Sequence, residues 1–516
     1  MKRKLALLLA FVMMIMAAAG CTTITVNPQQ EGEKEEAPAE TAEKVPEVEW
    51  YISEEPFPDS EMVAEALSAY FLEKLNIKVN IHYVQDYSSI GTALSAGEDR
   101  GIVTVGEDIN FITYANAGAF YPLEDLLDKY GQGIKALFND DVWGSMTIDG
   151  HIYAIPIKKD NAYIMGIVYN EDLANELGLD MESVHFKNWN DLDEDMLMEA
   201  IKKRDELHPE YAGEPLIGSW LTMEVPYFFG LESFLGNNYA VCNIDGYNSV
   251  EGFDIDTVFD LYETDEYREF AKKKQRWVAN GLQAYDYSKI SGFNSSPAVL
   301  LVGGWGLVYA PDHLYGENYT SKLILPDEVW ADASCYQLGS AICANCKEPE
   351  AAMKVLEMIN TDPYVATMCR FGIEGVHYTV DENGKMEIAP DNSDPDNRKY
   401  YHWYGASIGN LMVVNAPESL TGPDNTLIEK LEYYNTNALN AAHMGFVPDT
   451  SNIVNEIAAC DNVVDEFTTT LNQGQYESEE AVDAAIDEFI EKLKANGVDK
   501  IVEEMQRQIN EWKAAN

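Results

Sequence analysis

The chain has 516 residues, 46% of them hydrophobic and 11% aromatic, enough for a substantial core and for two or three domains. Its 88 acidic and 35 basic residues give a formal net charge of −53. A surface this negative repels phosphate backbones and anionic headgroups, which excludes nucleic acid as a partner and speaks first for solubility.

In chain order, Lys2-Arg3-Lys4 forms a positive start and Leu5 to Met16 an apolar run, short for a membrane span but right for a signal segment. Ala17-Ala18-Ala19-Gly20-Cys21 follows and resembles the bacterial lipobox, with Ala18 where a leucine is usual. The reading is a signal peptide over 1–20 and a lipidated Cys21. An ordinary secretory signal cut near the same place is the alternative. Two or more acyl chains on Cys21 would hold the protein on a membrane, where one would be marginal. Residues 22–47 are rich in Glu, Pro, Ala and Thr and cannot bury a core. They are expected to act as a disordered leash spanning roughly 25–30 Å.

From residue 48 the pattern is α/β. Val48 to Ile52 alternates like a strand, Ser60 to Leu75 carries apolar residues at helical spacing, and Ile77 to Tyr83 alternates again. Strand, helix, strand predicts a parallel βαβ unit. A helix over 90–96, a strand over 101–105, and helices over 111–117 and 122–130 continue it, with Gly131 as C-cap. A second α/β region begins near 153, with a strand over 164–169, a helix over 171–177 ending at Gly178, and a helix over 191–207 stopped by His208-Pro209. Val299 to Val302 leads into Gly303-Gly304-Trp305-Gly306, read as an exposed glycine turn carrying a large aromatic. A helix is expected over 351–359, and the last hundred residues read as mostly helix, closing with 479–495 and 499–515.

Several of these stretches resemble the family-1 extracellular solute-binding proteins. They are Ala119 to Leu127, Asp149 to Pro156 followed by Gly166 to Leu173, and Lys347 to Lys354. Phe371 to Tyr378, Pro448-Asp449-Thr450 and Asn455 to Ala459 resemble a lipoprotein subgroup with its own C-terminal region. The resemblance implies a two-lobe, periplasmic-binding-protein-like fold (type II) with a hinge. The expected layout is one lobe over 48–160 plus about 325–385, a second over 161–324, and a mostly helical C-terminal region over 386–516 packing on both. It also implies a small-molecule ligand, a sugar or oligosaccharide, delivered to an ABC permease by hinge closure. The protein is then expected to be a monomer held by Cys21 on the extracellular face of a bacterial membrane. A peptide or amino-acid ligand, a surface glycan-active enzyme and an adhesin stay open as alternatives.

Chemistry for catalysis finds little purchase. There is no G-x-S-x-G elbow, no H-E-x-x-H and no phosphate loop, and Gly303 to Gly306 has the wrong spacing for a dinucleotide fingerprint. No cofactor and no metal are expected. His377 and His402 read as structural. Cys343-Ala344-Asn345-Cys346 has redox or zinc spacing without a second pair to complete a site. Cys242, Cys335, Cys343, Cys346, Cys369 and Cys460 read as buried thiols, their pairing left open. The acidic loop over 243–256 offers oxygen ligands without EF-hand spacing.

Sugar capture needs flat aromatic faces and placed polar groups, in loops that follow strands of an α/β sheet. That rule selects Glu54 and Phe57 after the first strand, and Asp108 and Asn110 after the strand at 101–105. It selects Lys158, Asp160, Asn161 and Tyr163 at the crossover, and Trp220 and Trp305 in the second lobe. Glu374 and Trp403 are the C-terminal candidates.

Overall fold

The computed structural model describes residues 44–515 except 86, 107–108, 164, 186–191, 219–228, 248–249, 285–295, 306–320, 325–328, 394–396, 403–408 and 419–425. Two α/β lobes are joined by crossovers.

Lobe 1 is a five-stranded sheet in the order β2-β1-β3-β13-β6. Strands β1 (Glu47–Ile52), β2 (Lys78–Tyr83) and β3 (Ile102–Val105) run parallel, with Trp50 opposite both Ile81 and Ile102. The βαβ unit expected from the alternation is therefore present, crossed over by helix α1 (Ser60–Leu75). Alternation in β1 sends Val48, Trp50 and Ile52 to one face, where they pack with Phe71 of α1 and with Leu356. The other face buries Val103 and Val105 against Phe111 and Phe120. Helices α2 (Tyr87–Ser95), α3 (Phe111–Asn116), α4 (Glu124–Tyr130) and α5 (Asp140–Ser145) follow, then the short hairpin β4 (Thr147–Ile148) and β5 (His151–Ile152), and edge strand β6 (Ala154–Pro156).

Lobe 2 starts with β7 (Met165–Asn170), helix α6 (Glu171–Leu177) and helix α7 (Glu194–Leu207). Asn170 caps α6 by accepting from Leu173 N, and Gly178 ends it with φ 67°, a left-handed turn that suits glycine. The hairpin β8 (Leu231–Ser233) and β9 (Val241–Asn243), helix α8 (Asp265–Ala279), and strands β10 (Leu301–Trp305) and β11 (Ser321–Ile324) complete it. Strand β10 corrects one expectation. Gly303 and Gly304 do not form a turn; they lie in the strand, opposite Ile167 and Gly166 of β7. A glycine pair alone does not make a turn when both backbones are committed to a ladder.

The chain then returns through β12 (Trp330–Ala331) to β13 (Gly339–Ile342), which pairs antiparallel with β3 and β6, and on to helices α9 (Pro349–Thr361) and α10 (Pro363–Phe371). A hairpin of β14 (Tyr378–Val380) and β15 (Met386–Ile388) leads to Tyr400 and Leu411, which are buried in the lobe 1 core. Helix α11 (Thr426–Asn437) and strand β16 (Leu439–Asn440), parallel to β12, precede three long helices: α12 (Val454–Asn472), α13 (Glu479–Ala495) and α14 (Val498–Ala515). Their apolar faces, among them Phe467, Phe489 and Ile509, are buried in one cluster with Leu197, Phe270 and Leu301 of lobe 2.

A smaller cluster of Val142, Ala331, Tyr336 and Met444 joins α5 to the returning crossover. Beside it the backbones touch: a Cβ added at Gly144 of α5 would stand 3.0 Å from the Cα of Gly445. The cysteines 242, 335, 343, 346, 369 and 460 are all free, and burial pushes the thiols of Cys343 and Cys369 up to about 12. Among the described residues no helix is long and apolar enough to cross a membrane, and no group of three or more His, Cys, Asp or Glu could hold a metal.

Candidate ligand cleft

A cleft of about 380 Å3 opens at the C-terminal end of β3, walled by lobe 1, both crossovers and β8 of lobe 2. This is the place where an open α/β sheet offers its strand ends to a ligand. Gly106, with φ 147°, ends β3 at the rim, and a Cβ there would come within 2.4 Å of Leu338 Cδ1. The positive φ suits glycine at this strand end.

The outgoing crossover carries Lys159 to Tyr163 along one wall. Asn161 is 3% exposed and its carboxamide bonds the backbone of both crossovers: Nδ2 donates to Ile157 O and Cys335 O, and Oδ1 accepts from Lys159 N. Asn435 of α11 clamps the same stretch, accepting from Asn161 N and donating to Lys159 O. Asn161 therefore holds the two crossovers together while lining the cleft. Lys159 Nζ lies 3.2 Å from Asp160 Oδ1, an ion pair with both side chains largely covered. Asn110 caps α3 through its Oδ1, which accepts from Thr113 N, and among the described residues its NH2 group has no partner at the rim.

The aromatic wall comes from both crossovers. Tyr163 N donates to Trp330 O at 2.7 Å, and the two rings stand 3.9 Å apart at 42°. Trp330 is 2% exposed and fixes the plane of the more open Tyr163. The Tyr163 hydroxyl lies 2.8 Å from Ser334 Oγ, and Ser334 Oγ donates to the buried Asp332 at 2.5 Å.

Of the residues selected from sequence, the cleft brings together Asn110, Asp160, Asn161 and Tyr163. Lys158 lies one position outside: its backbone donates to Gly409 O and accepts from Leu411 N, while Lys159 lines the cleft. Glu54 and Phe57 belong to a separate cluster in lobe 1. Glu54 contacts Nδ1 of His402, whose ring is stacked on Tyr83 at 5.1 Å and met edge-on by Phe57 at 5.3 Å. Burial pushes the His402 pKa down to about 4, so the ring is neutral and Nδ1–H is the proton that Glu54 accepts. His377 is likewise tied in, with Nδ1 accepting from Ile373 N and Nε2 lying 3.2 Å from Asp59. Glu374 sits in an exposed turn, its backbone bridged to Tyr378. Asp108, Trp220, Trp403 and Cys21 lie outside the described residues. The backbone of Trp305 pairs with Met165 in β10, and its side chain lies outside the described part.

Sequence reasoning missed Trp330, Asp332 and Ser334. Asp332 accepts from Ser334 N and Cys335 N at the start of a short 3₁₀ turn, so Asp-Ala-Ser was a readable cap signal. Trp330 carried no local signal of its own. The loop at 243–256 is closed by its own amide, with Asn243 Nδ2 donating to Val250 O and Phe253 O. A larger groove of about 710 Å3 lies between α5, the β4–β5 hairpin and residues 444–451, with Asp140, Asp141, Asp149 and Asp449 on its rim. It is more capacious and also carries Asn116, Thr147 and Ser451, but it is set among α5, the β4–β5 hairpin and residues 444–451 rather than at the C-terminal end of β3.

A family model described as a bacterial extracellular solute-binding protein matches residues 58–366, more than half of the chain. The chain belongs to that family. The C-terminal helices of this solute-binding protein, residues 442–514, match a second model described as a domain of unknown function (DUF3502). The chain is 24% identical over 511 residues to a carbohydrate ABC transporter substrate-binding protein of Streptococcus pneumoniae serotype 4, covering 96% of this chain and 95% of that one. Among solved structures it is similar to the N-glycan transport solute-binding protein of Streptococcus pneumoniae, with TM-score 0.73, 21% identity, and coverage of 90% of this chain and 98% of that one. It is also similar to the alginate-binding protein AlgQ2, with TM-score 0.58, 19% identity, and coverage of 90% and 97%. These likenesses fix the two-lobe fold of this solute-binding protein.

Proposed function

We propose that this solute-binding protein captures an oligosaccharide in the cleft between its lobes and hands it to an ABC permease, without chemical change to the ligand. The observation that carries this reading is the wall formed by Tyr163 on Trp330, beside the polar groups of Asn110, Lys159, Asp160 and Ser334. A flat aromatic face takes the apolar side of a sugar ring, and nearby polar groups take its hydroxyls. Relatives named for carbohydrate and N-glycan transport support the ligand class. The signal at the amino terminus supports a lipid anchor on Cys21 at the outer face of the cytoplasmic membrane, with the folded unit a monomer on its leash.

Titration of the purified protein with neutral oligosaccharides, uronate oligosaccharides and peptides tests the reading. A bound ligand at about a hundred times its dissociation constant adds roughly 2.7 kcal/mol of stability, which appears as a melting shift of a few degrees. A shift with an oligosaccharide, intact glycan on recovery, and loss of binding in Tyr163→Ala are expected. A shift with peptides alone would replace the ligand class, and cleaved glycan would make the protein an enzyme. Cys21→Ser is expected to move the protein from the membrane fraction to the medium.

A further inference from the structure

The C-terminal region reaches the ligand cleft through one histidine. Strand β8 lies on the cleft wall, with Leu231 and Ser233 in the lining. Alternation along a strand turns the residue between them the other way. That residue is Glu232, 2% exposed, and its Oε2 lies 2.7 Å from Nδ1 of His443, which is completely buried. Among the described residues Glu232 Oε1 has no hydrogen-bond partner. Burial raises the pKa of Glu232, and the hydrogen bonds that pull it back come from the ring and the backbone N–H of His443.

His443 is itself held from further sides. Its Nε2 lies 3.3 Å from Asp256 Oδ1, and the other oxygen of Asp256 contacts Lys513 of α14. Phe234 meets the ring edge-on at 5.8 Å, and Trp512 of α14 does so at 6.1 Å. The residues that follow grip both lobes: Phe446 is buried in the lobe 2 core, whereas Met444 packs with Val142 of α5 and with Tyr336. On the other side of β8, Ser233 N donates to Asp332 Oδ2 at 3.3 Å, and Asp332 accepts from Ser334, which also lines the cleft. A shift of β8 would therefore disturb the returning crossover as well.

We propose that His443 is a positioning residue for the cleft: through Glu232 it sets where β8 presents Leu231 and Ser233, so the C-terminal region is part of the binding site and not a separate module. A buried carboxyl group that loses its hydrogen-bond partner is driven towards water. On β8 the face open to water is the cleft face. Turning the strand over to bring Glu232 there would carry Leu231 and Ser233 out of the lining, because a strand exchanges all its side chains between faces at once. His443, Asp256 and Lys513 do not line the cleft themselves, so residues 442–514 act on ligand affinity without touching ligand through this chain of contacts. The ligand class rests on the oligosaccharide reading; the placement of β8 does not.

Two variants separate a positioning role from a packing one. His443→Phe keeps a flat ring beside Phe234 and Trp512 but carries no side-chain N–H. His443→Gln gives up the ring and keeps an N–H for Glu232. Hydrogen exchange of the ligand-free protein, read by mass spectrometry, reports on β8 directly. In His443→Phe the peptide over 229–234 is expected to exchange about tenfold faster, the size of one lost hydrogen bond, with 330–337 following it and α13 unchanged. In His443→Gln the peptide over 229–234 is expected to return towards the wild-type rate. Calorimetric titration with maltotriose, β-1,4-linked mannotriose and chitotriose is expected to show the same order in affinity, about tenfold weaker in His443→Phe and recovered in His443→Gln. Unchanged exchange over 229–234, or exchange that rises equally over α13, overturns the proposal. So does an affinity that is unchanged in His443→Phe or lost alike in both variants. If none of the three sugars binds the wild type, that counts against the oligosaccharide reading, and the exchange rates still decide the placement of β8.

Discussion

Lobe 1 is built on one five-stranded sheet whose first three strands follow one another in the chain, separated only by single helices. Lobe 2 has a three-stranded sheet, β10-β7-β11, drawn from segments well over a hundred residues apart, and it buries most of its core with helices that include the last three of the protein. The first core starts from consecutive elements and is completed by the returning segment from Ile342 to Leu411, whereas the second joins the middle of the chain to its last three helices. The same contrast runs through their buried ionisable groups. Lobe 1 keeps a neutral histidine, His402, and lobe 2 keeps a protonated acid, Asp260, whose pKa burial pushes up to about 8.

The largest test of this contrast is calorimetric. Phe71 in lobe 1 and Phe489 in α13 are both completely buried. Each Phe→Ala change is expected to cost about 3–5 kcal/mol. Phe71→Ala should lower one calorimetric transition and Phe489→Ala the other, and a single transition that moves equally for both would show that the lobes melt as one unit. The next effect is in pH. For His402 the unfolded chain binds a proton that the fold refuses between pH 6.5 and about 4. Stability contributed there is lost as pH falls through that window, by up to roughly 3 kcal/mol. For Asp260 the sign reverses: between about pH 4 and 8 the fold holds a proton that the unfolded chain has released, so lobe 2 loses stability as pH rises. Melting curves at pH 4.5 and 7.5 should therefore move the two transitions in opposite directions, and Asp260→Asn should flatten the lobe 2 response. The smallest effect separates neighbours in the crossover. Lys159→Ala is expected to weaken ligand binding measurably, whereas Lys158→Ala, whose backbone does the work, should leave it within about half a kcal/mol.

What the sequence made legible follows the same division. Alternation over 48–52 and 77–83 with a helix between them identified the parallel unit of lobe 1 because strand, helix and strand are consecutive. In lobe 2, Gly303-Gly304 read as a turn because nothing local reveals that β7, over a hundred residues earlier, pairs with them. At the cleft, the rule of loops after strands found Asn110 and the 160–163 crossover. It selected Lys158, and the structure puts the adjacent Lys159 in the cleft lining, since sequence does not say which of two adjacent lysines faces inward. It passed over Trp330 and Ser334 because they reach the cleft from a returning segment some 170 residues after the crossover they meet. It placed Asn161 at the cleft, and the structure adds that its carboxamide also bonds the backbone of both crossovers, a role that only the fold can show.

The placement of α12, α13 and α14 inside the lobe 2 core has a consequence for biogenesis. An extracellular protein leaves the cell as an extended thread, amino terminus first. Lobe 1 lacks Tyr400 and Leu411 until the thread is four-fifths through, and lobe 2 lacks Phe467, Phe489 and Ile509 until almost all of it has passed. Neither half can close its core early, so the chain stays pliant for the length of its passage and gains both cores almost together at the far side.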